Sequence, residues 1–297
     1  MGRLFNKRDF LRLISSAAVA APTALAVSEA TRKGTSGQKP SVYDRVMQTQ
    51  TIRCGYGIWP PFFMKDPNTG KLSGVFYDYT EALGRALGLK IEWAEEIGSG
   101  DFAAALETGR IDAACFSIWP NASRAREIDF TNPIYYTAHY AYVRADDTRF
   151  DNTLDAINSS SVTIVAIDGE MGALIAESDF PQARKLGLPQ LADSSQAFLN
   201  IVTRKADVFI TDLSTAAEYE VENPGTIRQV ISPAPIRIFR NTIAIAQKQD
   251  QFRRMLDTAT EELLSSGKIE KIIEKYERHP NTFLRVEQGY RTSGSQR

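Results

Sequence analysis

The chain has 297 residues, 43% of them hydrophobic and 24% charged, and a formal net charge of −1 at pH 7. This composition is typical of a globular protein with enough apolar residues for one large or two modest domains. A nearly neutral chain has no overall field that favours nucleic acid or an anionic membrane. The two histidines, His139 and His279, lie far apart and without metal-site spacing, so we expect neither a metal nor another cofactor.

The first thirty residues have the pattern of a secretory signal peptide. The basic head MGRLFNKRDFLRL precedes LISSAAVAAPTALAV, an apolar run that is too short to span a bilayer comfortably. Ala26 and Ala30 are candidate cleavage sites. KRDFLR resembles a twin-arginine export motif in which Lys7 replaces the first arginine, so the Sec and Tat routes both stay open. We expect an exported, periplasmic protein, and the alternative for residues 1–30 is an uncleaved membrane anchor.

We expect residues 31–46 to be a linker, because they begin with a polar stretch that is rich in Gly and Ser. The tail at 286–297 has a similar composition, and we expect it to be disordered. Cys54 and Cys115 both fall in predicted strands. Export permits a disulfide between them, but the sequence does not fix the geometry that a disulfide needs. Two buried thiols are the interpretation that we favour, and a disulfide is the alternative.

Strand and helix patterns alternate between these ends. TIRCGYG, KIEWAEE and RIDAACFSI are predicted strands, and the helical patterns between them end at Gly88 and Gly109. The alternation starts afresh with the strand SVTIVAI, the helices GEMGALIAESDF and SSQAFLNIVTRK, and the strand ADVFITD, which ends at Asp212. Thr215 and Glu218 predict a capping box for the helix that follows. Strands that alternate with helices predict parallel sheets with right-handed crossovers.

Two extended runs, YYTAHYAYVRA and IRIFRNTIAIAQK, bracket the second of these units. The predicted fold class is therefore α/β with two lobes. Each lobe is expected to be a mixed, mainly parallel sheet flanked by helices, and two strands are expected to cross between the lobes. We place lobe 1 at 47–142 and 236–285 and lobe 2 at 143–235. Ligands of open α/β sheets bind outside the carboxyl ends of the strands, so two such edges that face each other predict a cleft.

From about Thr51 to Tyr276 the chain resembles the family 3 extracellular solute-binding proteins, the periplasmic receptors of polar amino-acid ABC transporters. Four segments carry the resemblance, in the family's order: GYGIWPPFFMKDPNTGKLSGVFYDYTEALGRALGLKIEW, TGRIDAACFSIWPNASRAREIDFTNPIYYT, ADVFITD and FRRMLDTATEELLSSGKIEKIIEKY. The resemblance implies the type II fold of periplasmic binding proteins and a monomer that binds an amino acid or a related carboxylate. It also implies an ABC permease in the inner membrane as partner, and no nucleic acid.

The resemblance implies two anchors for an amino acid, Arg124 for the α-carboxylate and Asp212 for the α-ammonium. A guanidinium can give a carboxylate two parallel hydrogen bonds, and a carboxylate accepts from an ammonium. Anchors on opposite lobes are both satisfied only when the lobes close, so the ligand would stabilise the closed state. The alternatives are a surface arginine paired with Glu127 or Asp129, a role that suits Arg126 better, and a helix-capping carboxylate at Asp212.

Aromatic residues at strand ends are further candidates for the cleft. Trp59 and Trp119 are expected to wall the ligand side chain, because aromatic faces bury apolar groups and hold cations. Phe62 and Tyr56 are expected either there or in ordinary core packing. Ser117 is expected to offer its hydroxyl or its backbone to the ligand carboxylate.

Glu170 departs from the family pattern, which usually has Gly-Thr-Thr where this chain has Gly169-Glu170-Met171. The helix N-terminus still offers N–H groups, but a hydroxyl is lost and a negative charge is added. The tryptophan that is common before the family's second helix is also replaced, around Ser99-Gly100. We expect Glu170 either to contact a cationic ligand or to lie on the helix dipole. A neutral or aromatic ligand side chain would suit the tryptophans, and a cationic one would suit Glu170 and the tryptophans together. We favour a polar or basic amino acid.

A binding component without catalysis is the expected function. The chain has no Walker A motif, so the ATPase of the importer would be a separate protein. One alternative is a periplasmic enzyme on the same scaffold, similar to cyclohexadienyl dehydratases, with Glu170 as the general acid. The other is a periplasmic binding module that takes no part in transport.

Overall fold

The computed structural model describes residues 40–151 and 153–286. The predicted signal peptide at 1–30 lies outside these residues, and so does the predicted disordered tail apart from residue 286. The predicted linker at 31–46 is wrong in its described part, because helix α1 (Val42–Thr49) begins there. The helix is held down by Val46, which is fully buried, and by Arg45, which makes an ion pair with buried Asp112.

The remaining elements follow in chain order. The first group comprises β1 (Thr51–Tyr56), β2 (Met64–Lys65), β3 (Leu72–Ser73), α2 (Val75–Leu87), β4 (Lys90–Glu96), α3 (Phe102–Thr108), β5 (Ala113–Ile118), a 3-10 helix (Arg124–Arg126) and β6 (Ile128–Phe130). The long strand β7 (Tyr135–Arg144) leads to 3-10 helices at Thr148–Phe150 and Leu154–Ile157, β8 (Thr163–Ile167), α4 (Met171–Asp179), β9 (Arg184–Leu188), α5 (Ser194–Val202), β10 (Val208–Asp212), α6 (Leu213–Glu222) and β11 (Ile227–Gln229). The chain returns through β12 (Arg237–Ala246), α7 (Asp250–Ser265), α8 (Lys268–Tyr276) and β13 (Leu284–Arg285).

The strands of both lobes are joined in the order β4-β1-β5-β12-β7-β10-β8-β9. Strand β1 is parallel to β4 and β5, and β8 is parallel to β9 and β10. The two long strands β7 and β12 pair with each other in antiparallel fashion and link the two parallel sets. The predicted fold class, two lobes with mainly parallel sheets and two crossing strands, is confirmed.

Buried apolar side chains form three clusters that follow the same division. Apart from Met171, the largest cluster comes from residues 46–135 and 243–283, and the other two come from residues 141–230. Each lobe therefore has apolar packing of its own, and apolar side chains also join the lobes, since Met171 of lobe 2 packs in the lobe 1 cluster and Trp59 of lobe 1 packs against a lobe 2 cluster. The boundaries that we placed at 142, 143, 235 and 236 stay predictions.

Two helices of lobe 1 end where the sequence predicts. Helix α2 buries Phe76, Tyr79 and Leu83 on one face and ends at Gly88, whose φ is 68°. Helix α3 ends at Gly109, whose φ is 72°. A left-handed backbone after a helix favours glycine because glycine has no Cβ.

Cys54 and Cys115 form a disulfide between the neighbouring strands β1 and β5. The favoured interpretation of two buried thiols is therefore wrong. The parallel register places Cys54 opposite Ala113 and brings the two cysteine Cα atoms to 5.5 Å, which is within the range that a disulfide spans. This proximity comes from the pairing of two strands that are separated in the chain by helices α2 and α3 and by strand β4, and the sequence does not specify that pairing.

Candidate functional site

The two lobes enclose a cavity of about 50 Å³. Five of the seven predicted site residues line it: Trp59, Phe62, Ser117, Trp119 and Glu170. Arg124 lines an adjacent pocket, which shares Ser99 and Glu170 with the cavity. Asp212 lines neither of these two pockets, and its side chain is fully buried. The structure thus brings six predicted residues to two adjacent spaces and leaves Asp212 within the protein.

The aromatic wall is fixed by hydrogen bonds as well as by packing. Trp59 Nε1 donates to Thr215 Oγ1 of the other lobe at 2.8 Å. Trp119 is almost fully buried, and its Nε1 donates to Asn241 Oδ1 at 2.6 Å. Both indole rings are therefore held in one orientation.

Phe62 and Tyr56 have different positions. Phe62 is fully buried beside Tyr135 while one side faces the cavity. Tyr56 stacks on Phe63 with ring centroids 5.2 Å apart, and it is not among the lining residues. Core packing therefore describes Tyr56, whereas Phe62 combines core packing with a place at the cavity.

Asn241 is a residue of this site that sequence reasoning missed. It is fully buried on β12, where its Oδ1 accepts from Ser117 Oγ and Trp119 Nε1, and its Nδ2 donates to Thr137 Oγ1 at 3.1 Å. The available signal was weak, because Asn241 lies between the polar residues Arg240 and Thr242 just before the apolar run IAIA. Asn241 ties the cavity wall to both crossing strands.

His139 is a second residue that the sequence did not reveal. It is almost fully buried, and among the residues that the structure describes neither ring nitrogen has a hydrogen-bond partner. Burial lowers the pKa of His139 to about 4, and the carboxylate of Asp212, its register partner on β10, opposes this shift. Between the rings of Trp119 and Phe239, His139 is thus a neutral group at physiological pH.

Asp212 is the N-cap of helix α6. Its Oδ1 accepts the N–H of Thr215 at 2.9 Å and the hydroxyl of Ser214, and its Oδ2 accepts the hydroxyl of Thr215 at 2.7 Å. The predicted capping box is wrong, because the helix begins at Leu213 and Thr215 already lies in its first turn. Glu218 instead makes an ion pair with Arg278 at 3.2 Å. Asp212 therefore caps the helix, as the alternative interpretation expected. A carboxylate has about four acceptor positions, and these three donors occupy three of them.

Arg124 lies in a single 3-10 turn whose first N–H groups are partly satisfied by Asn121. Its Nη1 donates to Trp119 O at 2.9 Å, and its Nη2 donates to Gly169 O of the other lobe at 2.7 Å. Burial lowers the pKa of Arg124, and the neighbouring Glu170 raises it. The guanidinium lies over the ring of Phe102 with 5.3 Å between its carbon and the ring centroid.

The alternative role for Arg124, an ion pair on the surface, is not seen within residues 40–151 and 153–286. Neither Glu127 nor Asp129 forms an ion pair with it there. Arg124 contacts both lobes through carbonyl oxygens instead, and these are weaker acceptors than a carboxylate.

Glu170 precedes helix α4 at the boundary between the lobes. Ser99 Oγ of the other lobe donates to Glu170 Oε1. Removal from water raises the pKa of Glu170 above its ordinary value of 4.5, while the bond from Ser99 and the charge of Arg124 oppose the rise. The cavity therefore contains a carboxyl group with fewer donors than an ionised carboxylate needs.

Two features are absent from the part of the chain that the structure describes. No helix there is long and apolar enough to cross a membrane. No group of three or more His, Cys, Asp and Glu side chains there has an arrangement that could hold a metal ion.

Comparisons with known proteins agree with the geometry. A family model described as bacterial extracellular solute-binding proteins, family 3, matches residues 52–279. "Probable amino-acid-binding protein YxeM" of Bacillus subtilis is 23% identical over 253 residues, which cover 85% of this chain and 90% of that protein. "Probable amino-acid ABC transporter-binding protein" of Haemophilus influenzae is 24% identical over 189 residues, which cover 62% of this chain and 68% of that protein.

Solved structures have the same fold. An ancestral amino acid-binding protein, described as a precursor of cyclohexadienyl dehydratase, superposes with a TM-score of 0.70 and 22% identity. The superposition covers 80% of this chain and 99% of that one. At this identity the likeness shows the two-lobed architecture.

Proposed function

Because the chain belongs to the bacterial extracellular solute-binding proteins, family 3, we propose that it binds an amino acid with a cationic side chain between its two lobes. The protein is a solute-binding protein, and its family is extracellular. The observation that supports the choice of solute is the position of Glu170, whose carboxyl group lines a cavity walled by aromatic side chains.

The charge balance of the cavity favours a cation. Glu170 receives one hydroxyl donor and lies near one guanidinium, while Glu96, which also lines the cavity, is paired with Lys65 at 3.0 Å. A cationic side chain would supply donors to Glu170 and would lie against the faces of Trp59 and Trp119. A neutral side chain would leave the Glu170 carboxylate undersatisfied in a site with little water.

The two proposed anchors would hold the rest of the amino acid. Arg124 would exchange its carbonyl acceptors for the α-carboxylate, which is a stronger acceptor in the same place between the lobes. Asp212 has acceptor capacity left beyond its three donors and would receive the α-ammonium. Since Arg124 and Asp212 belong to opposite lobes, this binding mode stabilises the closed state.

The partners follow from the class of protein. We propose that the loaded protein is a monomer that delivers its solute to an ABC permease in the inner membrane, which a separate ATPase drives. Export through the Sec or the Tat route remains part of this proposal, as does the absence of catalysis.

The test is a thermal-shift and calorimetric screen of the mature protein with matched pairs of amino acids. L-Arginine is compared with L-citrulline, which has nearly the same shape without the charge, and L-lysine is compared with L-glutamine. A solute at a hundred times its Kd adds about 2.7 kcal/mol to the free energy of unfolding. We expect a clear rise in Tm with arginine or lysine and a much smaller one with the neutral partner. Equal shifts within each pair, or a response to glutamate alone, would contradict the cationic solute.

A second candidate function rests on the position of Glu170 in the cavity, where burial raises the pKa of its carboxyl group. A carboxyl group that keeps its proton at higher pH is suited to act as a general acid. In a cyclohexadienyl dehydratase reaction it would protonate the ring hydroxyl, which leaves as water while carbon dioxide is lost and the ring becomes aromatic. The test is the appearance of aromatic absorbance when the protein is mixed with prephenate or arogenate. Activity that is lost in Glu170→Gln would establish this function, and its absence would leave the binding protein.

A further inference from the structure

One of the contacts between the lobes involves both ends of a side-chain amide. Gln190 lies in lobe 2, in the loop between β9 and α5. Its Oε1 accepts the N–H of Gly100 in lobe 1 at 2.7 Å. Its Nε2 donates to the Asp101 carboxylate in lobe 1 at 2.8 Å. One side chain therefore joins the lobes through two hydrogen bonds, one of them to a charged group.

In lobe 1, the Gln190 side chain packs closely against the backbone of two glycines, Gly98 and Gly100. A Cβ on Gly98 would lie 2.8 Å from Gln190 Cδ, and a Cβ on Gly100 would lie 2.5 Å from Gln190 Oε1. Neither glycine is among those with positive φ, so the backbone conformation does not require glycine at these positions. The added Cβ would meet the end of the Gln190 side chain, so alanine at either position would displace Gln190 from its hydrogen bonds.

Asp101 is free to take part because it does not cap its own helix. It occupies the N-cap position of α3, but its side chain makes no capping hydrogen bond there. Aspartate at an N-cap ordinarily accepts from the first turn of the helix. Here its Oδ2 accepts from the opposite lobe instead.

The loop that carries Gln190 is itself well ordered by local bonds. Leu188 O accepts the N–H of Asp168, and Pro189 O accepts the N–H of Ala192 at 2.8 Å. Gln190 also lines the cavity, together with Leu191. The contact with Gly100 and Asp101 therefore closes one side of the solute cavity.

We propose that Gln190, seated on Gly98 and Gly100 and bonded to Asp101, is a latch that populates the closed state before any solute is bound. A protein that already samples its closed state binds more tightly, because the apparent affinity scales with the fraction that is competent. The same latch slows solute release, because both hydrogen bonds must break before the lobes separate. The latch depends on the two-lobed fold and not on the identity of the solute.

The first experiment is small-angle X-ray scattering on mature protein freed of any bound solute by partial unfolding and dialysis. Wild type is compared with Gln190→Ala and with Gly100→Ala, which disrupt the latch from opposite lobes. Gln196→Ala is the matched control, since Gln196 is exposed on α5 of the same lobe. Circular dichroism and the solute-free Tm verify that each variant is folded.

We expect a larger radius of gyration for Gln190→Ala and Gly100→Ala than for wild type, and no change for Gln196→Ala. Identical scattering from wild type and Gln190→Ala would overturn the latch, whether the wild type is open or closed. The same holds if Gln196→Ala opens the protein as much as Gln190→Ala does.

The second experiment follows the dissociation of L-arginine by stopped-flow tryptophan fluorescence. We expect a dissociation rate constant about ten-fold higher in Gln190→Ala, from the loss of a hydrogen bond to a charged group. An unchanged rate constant would overturn the latch. If arginine fails to bind while Gln190→Ala still opens the solute-free protein, the proposed solute is wrong and the latch is supported.

Discussion

Arg124 is held between the lobes by the carbonyl oxygens of Trp119 and Gly169. A solute carboxylate would take over these donors without leaving them unpaired, so the residue is prepared for an anion. The motif in the sequence singled out Arg124, but the two carbonyl partners could not be inferred, because Gly169 reaches it only when the second lobe is in place.

Arg124→Ala should therefore abolish solute binding. The ligand carboxylate would be enclosed without a partner, a loss of about 3 kcal/mol or more, which raises Kd at least about a hundred-fold. Isothermal titration with the solute found in the screen measures this. Arg126→Ala in the same turn is the control, since Arg126 is exposed. If Arg124→Ala bound the solute as tightly as wild type does, Arg124 would not be the anchor of the ligand carboxylate.

Glu170 predicts a pH dependence of stability. Burial raises its pKa, so the folded protein holds this proton more tightly than the unfolded chain does. The resulting stability is complete below the ordinary value of 4.5 and is lost as pH rises through the raised pKa. Glu170→Gln has no proton to lose. Its Tm relative to solute-free wild type should rise between about pH 4 and about pH 8, and parallel Tm curves would refute the raised pKa.

Strands β1 and β5 are joined by the Cys54–Cys115 disulfide, which encloses a loop with a sequence separation of 61 residues. Closing a loop of this size lowers the entropy of the unfolded chain and stabilises the fold by about 4 kcal/mol in the chain-entropy model. Urea unfolding of wild type and of the double variant Cys54→Ala, Cys115→Ala measures the difference. A reductant should lower the midpoint of wild type and leave the double variant unchanged. Equal stability of the two proteins would show that the disulfide does not form.

Strand β12 crosses between the lobes with Asn241 at its centre. Asn241→Leu would leave the donors of Ser117 and Trp119 without their acceptor in a buried site. We expect a loss of about 1–3 kcal/mol in the free energy of unfolding, measured in urea. Asn68→Ala is the control, since Asn68 is exposed. A loss no greater than that of the control would mean that water satisfies these donors.

The helices and strands themselves were largely predictable. The ends of α2 and α3 at Gly88 and Gly109 follow from local chemistry, because only glycine readily takes the left-handed conformation that ends a helix there. The N-cap of α6 was assigned to Thr215 instead of Asp212. Both residue types are good N-caps, and the choice depends on where strand β10 ends. The linker was extended too far because the burial of Val46 depends on the lobe it packs against.

In the closed molecule, Thr215 of lobe 2 connects the two lobes by hydrogen bonds. This residue accepts from Trp59 of lobe 1 and donates to Asp212, the proposed ammonium anchor. Thr215→Val removes both hydrogen bonds and should raise Kd for the solute about ten-fold, whereas Thr215→Ser keeps the hydroxyl and should bind nearly as wild type does. Isothermal titration of the three proteins decides this. Equal loss in Thr215→Val and Thr215→Ser would contradict the hydrogen-bond explanation, because the serine variant keeps the hydroxyl and the valine variant does not.

The sequence by itself was sufficient for the family, the α/β class, the two lobes and the crossing strands, and these are confirmed. They follow from periodicity, glycine positions and motif order, which are properties of neighbouring residues. The roles given to Arg124, Asp212 and Glu170 stay predictions.

The disulfide, the partners of Asn241, the packing of His139 between Trp119 and Phe239 and the contacts of Gln190 required the three-dimensional arrangement. Each joins residues that are far apart in the chain, and their contact depends on strand order and lobe closure. Long-range packing sets which polar groups are buried and which are paired, and a single sequence does not encode that in any local pattern.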